Sequence, residues 1–315
     1  MDPRAFADDL AAKPASLMRC AEALRAGDPW SSSAVTPQSH IVLLGMGSSH
    51  YANSVVAARL RARGVNAVAE IASSDLLPAL TPNTVIIAVS ASGGSTETLD
   101  ALARYQAPAQ VIALTNVADS KICGLADRVI DMGAGVEAGG VACRSFQHTL
   151  ILLLALEAHL FDEPMPVELV ERASHASAHL IDSASEWLPA LREAMIGPAG
   201  THLVAPARRL SSAQQGALML REGPRLGAIG CETGDWSHVD VYLTKTTDYR
   251  LLLFAGSRWE PELLRWVKER GTTLACVSGD VEGSVLSIRY PGDDEDDVRL
   301  LVEVLVPELL ASSLW

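Results

Sequence analysis

Serine and glycine recur at two points of the sequence where an apolar run ends and a helical pattern begins. Residues 45–49 (GMGSS) follow the apolar run 41–44, and residues 90–95 (SASGGS) follow the β-branched run 85–89. The first amides of a helix lack internal acceptors and carry partial positive charge, so they attract anions. Glycine lets an anion approach the backbone, and serine hydroxyls complete its coordination. The residues predicted to bind a phosphate or the molecule that carries it are Ser48, Ser49, Ser90, Ser92 and Ser95.

Two other interpretations of these turns stay open at this point. Serine is a common helix N-cap, a role that needs no ligand. Gly45 and Gly47 also begin a dinucleotide-binding pattern, with Glu70 roughly twenty residues further on. His50 occupies the third glycine position of that pattern, where a side chain obstructs the close packing of helix on strand. The turn therefore favours a phosphate group over a dinucleotide.

The elements around these turns alternate between short apolar runs and helical stretches. The predicted strands are 41–44, 65–69, 85–89, 111–114, 128–130, 202–204, 250–254 and 274–277. Helical patterns, such as 51–63 and 213–222, lie between most of them. This alternation predicts parallel sheets covered by helices. The fold class is therefore α/β, with two tandem doubly wound, flavodoxin-like domains.

A chain of 315 residues is long enough for about two domains. We predict an N-terminal helix and the first domain in residues 1–165. A bridging helix is expected in 166–195, and the second domain in 196–315.

The composition of the chain argues against several classes of partner. The chain carries 25 Lys+Arg against 38 Asp+Glu, a net charge of −13, which argues against nucleic acid because phosphate backbones need a clustered positive face. Its five cysteines form no CxxC pair, so we predict no metal site and no cofactor. The N-terminus lacks a signal-peptide pattern, and the longest apolar stretch, 149–160, is too short to span a bilayer. A cytoplasmic protein without a membrane segment is expected.

Several segments resemble the sugar isomerase (SIS) family. In the first half they are 47–49, 90–95 and EAGGVACRSF at 137–146. In the second half, GALMLRE at 216–222 resembles the family's G-A-L-K-L-K-E, and GDWSH at 234–238 resembles its G-E-L-K-H. The resemblance is greatest to the isomerase half of glucosamine-6-phosphate synthase. It covers nearly the whole chain and implies two tandem SIS domains.

The resemblance implies roles for particular residues. The serine loop would hold a sugar phosphate, together with Gly140 and Ala142 of the third segment. Glu222 would move a proton between C1 and C2 of an open-chain sugar, and His238 would open the sugar ring. Carboxylate and imidazole groups suit these steps because both can exchange protons near neutral pH when their surroundings tune them. In the family the histidine comes from the neighbouring subunit, so the resemblance also implies a homodimer.

Some positions depart from the synthase pattern. Met219 stands where the synthase has a lysine, and Ala91 and Gly94 replace polar loop residues. Val-Asp follows His238 in place of Gly-Pro. We expect no glutamine-hydrolysing domain and no lysine at the C-terminus. The sequence therefore predicts a phosphosugar isomerase or an amino-sugar-6-phosphate deaminase, with a non-catalytic module that senses a sugar phosphate as the alternative.

Overall fold

The computed structural model describes residues 1–105 and 109–315, and in them strands alternate with helices. The strands are β1 His40–Gly45, β2 Asn66–Ile71, β3 Thr84–Val89, β4 Gln110–Thr115, β5 Arg128–Asp131, β6 Thr201–Ala205, β7 Ala228–Glu232, β8 Arg250–Phe254, β9 Thr273–Val277 and β10 Leu286–Ile288. The helices are α1 Pro3–Ala11, α2 Lys13–Ala26, α3 Gly47–Ala62, α4 Thr96–Arg104, α5 Arg144–Leu160, α6 Val167–Asp182, α7 Ala184–Met195, α8 Leu210–Glu222, α9 Thr233–Trp236, α10 Glu260–Arg270, α11 Asp296–Val302 and α12 Leu305–Leu314. Short 3-10 helices cover Lys121–Leu125, Ala207–Arg209 and Asp240–Lys245.

The first sheet is parallel, with the strand order β2-β1-β3-β4-β5. The order reverses at β1, whose two neighbours are β2 and β3. Both β1 and β3 are almost fully buried because they are continuous aliphatic runs. Gly45 at the end of β1 pairs with Val89 at the end of β3, so the turns that follow these two strands leave the same edge of the sheet side by side.

The second sheet repeats this arrangement with the order β10-β9-β8-β6-β7, again with parallel pairs throughout. Its order reverses at β6, which lies between β7 and β8. The predicted α/β class with two parallel sheets is thereby confirmed. The finer expectation, that helices wind over both faces of each sheet, stays a prediction.

Strand β7 carries no pattern that sequence analysis recognised. It is an edge strand that contains Gly230 and an exposed Ile229. A Cβ atom at Gly230 would lie 2.6 Å from the Ala213 backbone of α8, so glycine is needed for the helix to approach the strand. Because glycine has no side chain, it permits this contact. For the same reason it weakens the sequence pattern that would have predicted a strand.

Two compact units divide the described residues. One contains the first sheet and comprises residues 15–137 and 142–171; the other contains the second sheet and comprises 1–14, 138–141 and 172–315. Helix α1 belongs to the unit of the second sheet, where the Phe6 ring lies 5.6 Å from the Trp315 ring. The expected bridging segment 166–195 forms α6 and α7, which meet at Ser183. The expected boundaries of the two domains stay a prediction.

His148 is a fully buried histidine on α5 in the unit of the first sheet. Its Nδ1 lies 2.8 Å from the Met132 carbonyl oxygen, and its Nε2 lies 3.0 Å from Ser16 Oγ. Burial lowers the pKa of His148 from 6.5 to about 4, so the ring is neutral in the folded protein. A neutral ring donates from Nδ1 to the carbonyl and accepts at Nε2 from the serine.

We expect His148 to make folding stability depend on pH. The unfolded chain protonates this histidine near pH 6.5 and the native protein only near pH 4, so the stabilising contribution is complete above 6.5 and is lost as the pH falls towards 4. The loss amounts to about 1.4 kcal/mol per pH unit at most. Urea unfolding at pH 7 and pH 5 should show a smaller pH-dependent loss in His148→Gln than in the parent protein. His175→Gln, which changes an exposed histidine, should behave like the parent, and an unchanged pH dependence in His148→Gln would contradict the assignment.

Candidate functional site

Residues 90–95 connect β3 to α4 at the carboxyl edge of the first sheet. Ser95 is the N-cap of α4, and its Oγ accepts the Thr98 N–H at 3.3 Å. The same hydroxyl donates to the Glu97 carboxylate at 3.0 Å. Ser95 is therefore an N-cap, as one interpretation of the sequence predicted. A ligand oxygen at Ser95 would compete with the Glu97 carboxylate for the proton of the Ser95 hydroxyl.

Ser90 and Ser92 precede this cap. The Ser90 N–H donates to the Leu114 carbonyl at 3.0 Å, which extends the pairing of β3 with β4, and the residue is buried. Ser92 Oγ accepts the Gly94 N–H at 3.3 Å. That contact uses one lone pair of the hydroxyl and leaves the Ser92 proton for another acceptor. Ser92 is thus better suited than Ser95 to donate to a phosphate oxygen.

Gly93 fixes the shape of the loop. It has a φ of 61°, a conformation that favours glycine, and its N–H donates to the Ser90 carbonyl at 3.0 Å. A Cβ atom at this position would lie 1.9 Å from Ser120 Oγ and 2.9 Å from Thr115 Oγ1. The loop therefore reaches its observed position only because residue 93 has no side chain.

We expect Gly93→Ala to destabilise the protein by about 1–3 kcal/mol, because the added methyl group must displace Ser120 and the backbone must keep a positive φ. Gly94→Ala is the matched control, since its Cβ would lie no closer than 3.8 Å to Ser92 Oγ. Urea unfolding of the two variants measures the difference. Equal stability of the two would show that the loop does not depend on Gly93.

The turn after β1 lies inside a helix. Helix α3 begins at Gly47, four residues before the predicted start at 51, so Ser48 and Ser49 belong to its first turn and are half-buried. Met46 occupies the N-cap position and supplies no side-chain hydrogen bond to the first amides. These amides thus lack the side-chain acceptor that Ser95 provides at α4. A phosphate or a sugar oxygen could take that place.

Gly45 lets β1 and α3 approach each other at this turn. A Cβ atom at Gly45 would lie 2.9 Å from the Ser49 Cβ and 3.0 Å from the Asn53 Nδ2. The glycines that suggested a ligand in the sequence thus also serve packing. Because Gly45 pairs with Val89, the structure brings the two predicted serine turns to neighbouring strand ends.

The third segment, 137–146, contains a contact that sequence analysis missed. The Glu137 carboxylate accepts the N–H groups of Cys143, Arg144 and Ser145 at 2.7, 2.6 and 3.0 Å. It also accepts the Ser145 hydroxyl at 2.6 Å. An internal anion therefore already binds the amides that begin α5. The available signal was an acidic residue a few positions before the long apolar segment that forms α5.

Gly140 and Ala142 lie between Glu137 and α5. Gly140 is exposed with a φ of 73°, and Ala142 is half-buried. Gly140 falls in the unit of the second sheet and Ala142 in the unit of the first. Their part in binding a sugar phosphate stays a prediction.

Glu222 is the last residue of α8 in the unit of the second sheet. The helix packs tightly because a Cβ atom at Gly216 would lie 2.6 Å from Pro307 Cγ and 2.7 Å from Leu203 Cδ2. These contacts with β6 and α12 fix the position of the helix. The location of Glu222 therefore follows from close packing along the same segment that resembled the SIS family.

The surroundings of Glu222 favour its protonated form. Partial burial raises the pKa of the Glu222 carboxyl above its usual value, and the neighbouring Arg221 opposes this effect. Arg221 Nε donates to the Ala217 carbonyl at 3.2 Å. A carboxylate with a raised pKa is a stronger base than an exposed one, which suits proton abstraction near neutral pH.

His238 lies in the same unit as Glu222, just after α9. Its side chain is exposed, and its N–H donates to the Asp235 carbonyl at 2.9 Å. The predicted serines lie in the other unit. The structure thus places the two predicted proton-transfer residues in one unit and the predicted phosphate-binding serines in the other.

At the carboxyl edge of the second sheet, side chains of the same unit accept hydrogen bonds from several donors. The Glu260 carboxylate accepts the N–H groups of Gly256 and Ser257, the latter at 2.7 Å. The buried Arg209 guanidinium pairs with the buried Glu303 carboxylate. Internal carboxylates thus occupy donors that a ligand would use, and we assign no ligand there.

Within residues 1–105 and 109–315, no group of three or more His, Cys, Asp and Glu side chains could hold a metal ion. The five cysteines carry free thiols. No helix in the described part of the chain combines the length and the hydropathy needed to cross a membrane.

Comparison with known proteins identifies the first sheet and its turns. The family model of the SIS domain matches residues 35–158, which include both serine turns. This part of the chain is a SIS domain, and the resemblance inferred from the sequence is confirmed. The second sheet, with the same strand order, is consistent with a second domain of this kind.

A relative and two solved structures extend the comparison. The isomerizing glutamine–fructose-6-phosphate aminotransferase of Sulfurisphaera tokodaii is 24% identical over 241 residues, which cover 76% of this chain and 41% of that protein. The chain spans about two fifths of the length of the curated relatives it matches. The tagatose-6-phosphate ketose/aldose isomerase of Escherichia coli has a TM-score of 0.79 at 14% identity and covers 98% of this chain and 92% of that chain. Glucosamine-6-phosphate deaminase of Thermotoga maritima has a TM-score of 0.73 at 16% identity, with coverages of 98% and 93%. At these identities the two structures show a shared fold.

Proposed function

We propose that this protein acts on a sugar phosphate, by moving a proton between C1 and C2, as an aldose–ketose isomerase or an amino-sugar-6-phosphate deaminase. The observation that carries the proposal is the α3 turn, where Met46 leaves the first amides without a side-chain acceptor beside the serine loop on the next strand. The names of the relatives that share the fold, an isomerizing aminotransferase, a ketose/aldose isomerase and a deaminase, support it. A homodimer in the cytoplasm is part of the same proposal.

The proposal assigns substrate binding to the two serine turns. Ser90, Ser92 and Ser95 would hold the phosphate, with the free Ser92 proton as the strongest donor, and Ser48 and Ser49 would hold sugar hydroxyls. Phosphate oxygens are acceptors only, so hydroxyl and amide donors match them without a metal ion.

Glu222 and His238 would carry the chemical steps. His238 would move a proton from the C1 hydroxyl to the ring oxygen, which opens the ring and creates the carbonyl. The Glu222 carboxylate would then take the proton from C2 and return it to C1, while the proton of the C2 hydroxyl or amine moves to the former carbonyl oxygen at C1. In a deaminase the same transfer converts a 2-amino aldose into a 2-imine, and water then replaces the nitrogen and releases ammonia. Neither route transfers electrons to a cofactor, since only protons move.

We expect Glu222→Gln to lower turnover by about 10²–10⁴-fold, because the amide cannot accept the C2 proton. Binding of the substrate should change little, since the phosphate donors lie elsewhere. Conversion of fructose 6-phosphate and ammonia release from glucosamine 6-phosphate measure the two activities. Glu262→Gln, a change at an exposed carboxylate of α10, is the control and should keep full activity. Retained turnover in Glu222→Gln would remove this residue from the mechanism.

A sensing module without catalysis is the second candidate, and the residue at position 219 favours it. Met219 stands at the position of a synthase lysine and has no amine to offer a substrate. Its side chain is also buried, at 1% exposure. Exchange of solvent deuterium into C2 of a bound sugar phosphate, followed by NMR, separates the two functions. We expect exchange with the parent protein and none with Glu222→Gln, while both show a thermal shift with the same ligand. A thermal shift without exchange in the parent protein would favour the sensor.

A further inference from the structure

We propose that the hydroxyl of Tyr249 positions His238 by holding both ends of the segment that carries it. The inference rests on the proposed function, because that function gives His238 its task. It concerns residues 236–240, which we call the histidine arch, and it assigns Tyr249 as a positioning residue outside the motifs that the sequence suggested.

One oxygen atom joins the two ends of the histidine arch. The Trp236 Nε1–H donates to the Tyr249 hydroxyl at 2.9 Å, and the hydroxyl donates to the Asp240 Oδ2 at 3.2 Å. Trp236 lies two residues before His238, and Asp240 lies two residues after it. The five-residue arch is therefore closed on itself through a single side chain.

Burial separates the ends of the histidine arch from its middle. Trp236 is 0% exposed, Tyr249 2% and Asp240 8%, whereas Val239 in the middle is 57% exposed. His238 is also exposed. This pattern anchors the polypeptide on each side of the imidazole and leaves the imidazole free to meet a ligand.

Tyr249 is itself held by the second sheet. It directly precedes β8, a central strand, and its ring stacks on the His202 ring of β6 with centroids 3.8 Å apart and planes 19° apart. The hydrophobic side chains of Leu251 and Val267 belong to the same buried cluster as Trp236 and Tyr249. Because Tyr249 packs against the second sheet, its hydroxyl fixes the histidine arch relative to that sheet.

The Tyr249 hydroxyl has both a donor and an acceptor as partners. The Asp240 carboxylate also accepts the Cys231 Sγ–H at 3.7 Å, so two donors face it. Burial raises the pKa of Tyr249 and of Cys231, and both therefore stay protonated donors at neutral pH. Removal of the Tyr249 hydroxyl would leave a buried indole N–H without this partner and would weaken the anchoring of Asp240.

The test is Tyr249→Phe, with Tyr242→Phe as the matched control. Tyr242 lies in the 3-10 helix that follows the histidine arch and is 64% exposed, so the control removes the same atom from the surface. We expect Tyr249→Phe to lower kcat by about tenfold or more, since small displacements of a catalytic group cost this much, with KM changed less than about twofold. Tyr242→Phe should match the parent protein in both constants.

A second genetic background shows whether the hydroxyl acts through His238. In His238→Gln, the further change Tyr249→Phe should cause no additional loss of kcat. A loss of equal size in both backgrounds would overturn the proposal, because the effect would then not pass through the imidazole. Asp240→Asn keeps an acceptor for the Tyr249 hydroxyl and should retain most of the activity, whereas Asp240→Ala should lose kcat in the same direction as Tyr249→Phe.

A measurement without substrate separates this proposal from the proposed function. In protein with ¹³C-labelled histidine, the imidazole signal of His238 is assigned by its loss in His238→Gln. Tyr249→Phe, and independently Asp240→Ala, should shift or broaden that signal, and Tyr242→Phe should not. An unmoved signal in Tyr249→Phe and Asp240→Ala overturns the positioning role. If the signal moves but the parent protein turns over no sugar phosphate, the positioning role stands and the proposed function fails.

Discussion

The backbone amides that begin a helix must find acceptors, and the way each helix meets this requirement decides where a ligand can bind. Glu137 supplies its carboxylate to the first amides of α5, and Glu232 accepts the Gly234 and Asp235 amides of α9. These starts are closed to an external anion. At the start of α3, Met46 supplies no side-chain acceptor, and its carbonyl accepts the Ser49 and His50 amides at 3.0 and 3.3 Å. The first turn of α3, which contains Ser48 and Ser49, can therefore accept a ligand oxygen beside the serine loop that is proposed to hold the phosphate.

Glycine determines how closely the elements around these helix starts can approach. Gly45 brings the first turn of α3 onto β1, and Gly93 brings the serine loop against Ser120. In the other unit, Gly216 and Gly230 set α8 against β6, α12 and β7. Interiors are close-packed, so a single methyl group at such a contact must displace a neighbour. The positions of the serines and of Glu222 follow from these contacts.

The two sheets share one strand order but differ in the polar groups at the turns that follow their strands. Both reverse their strand order at the first strand, which is where open α/β sheets place ligands. In the second sheet, however, Glu260 binds the amides of the β8 turn, and Arg209 pairs with Glu303. In the proposed function, the second unit contributes Glu222 at the end of α8 and His238 on the histidine arch, which Tyr249 joins to β8. Fold alone therefore does not assign function to either sheet.

The sequence by itself determined the alternation of strands and helices, the two parallel sheets, the serine turns and the SIS resemblance, because each of these is written in short contiguous patterns. Tertiary structure alone decided features that join residues far apart in the chain or that depend on close approach. It made Gly230 part of an edge strand, and it turned Glu137 into the acceptor for a helix that begins several residues later. It also joined Trp236 and Asp240 through Tyr249, a contact that no local pattern encodes because it depends on how β8 and the residue before it pack in the second unit.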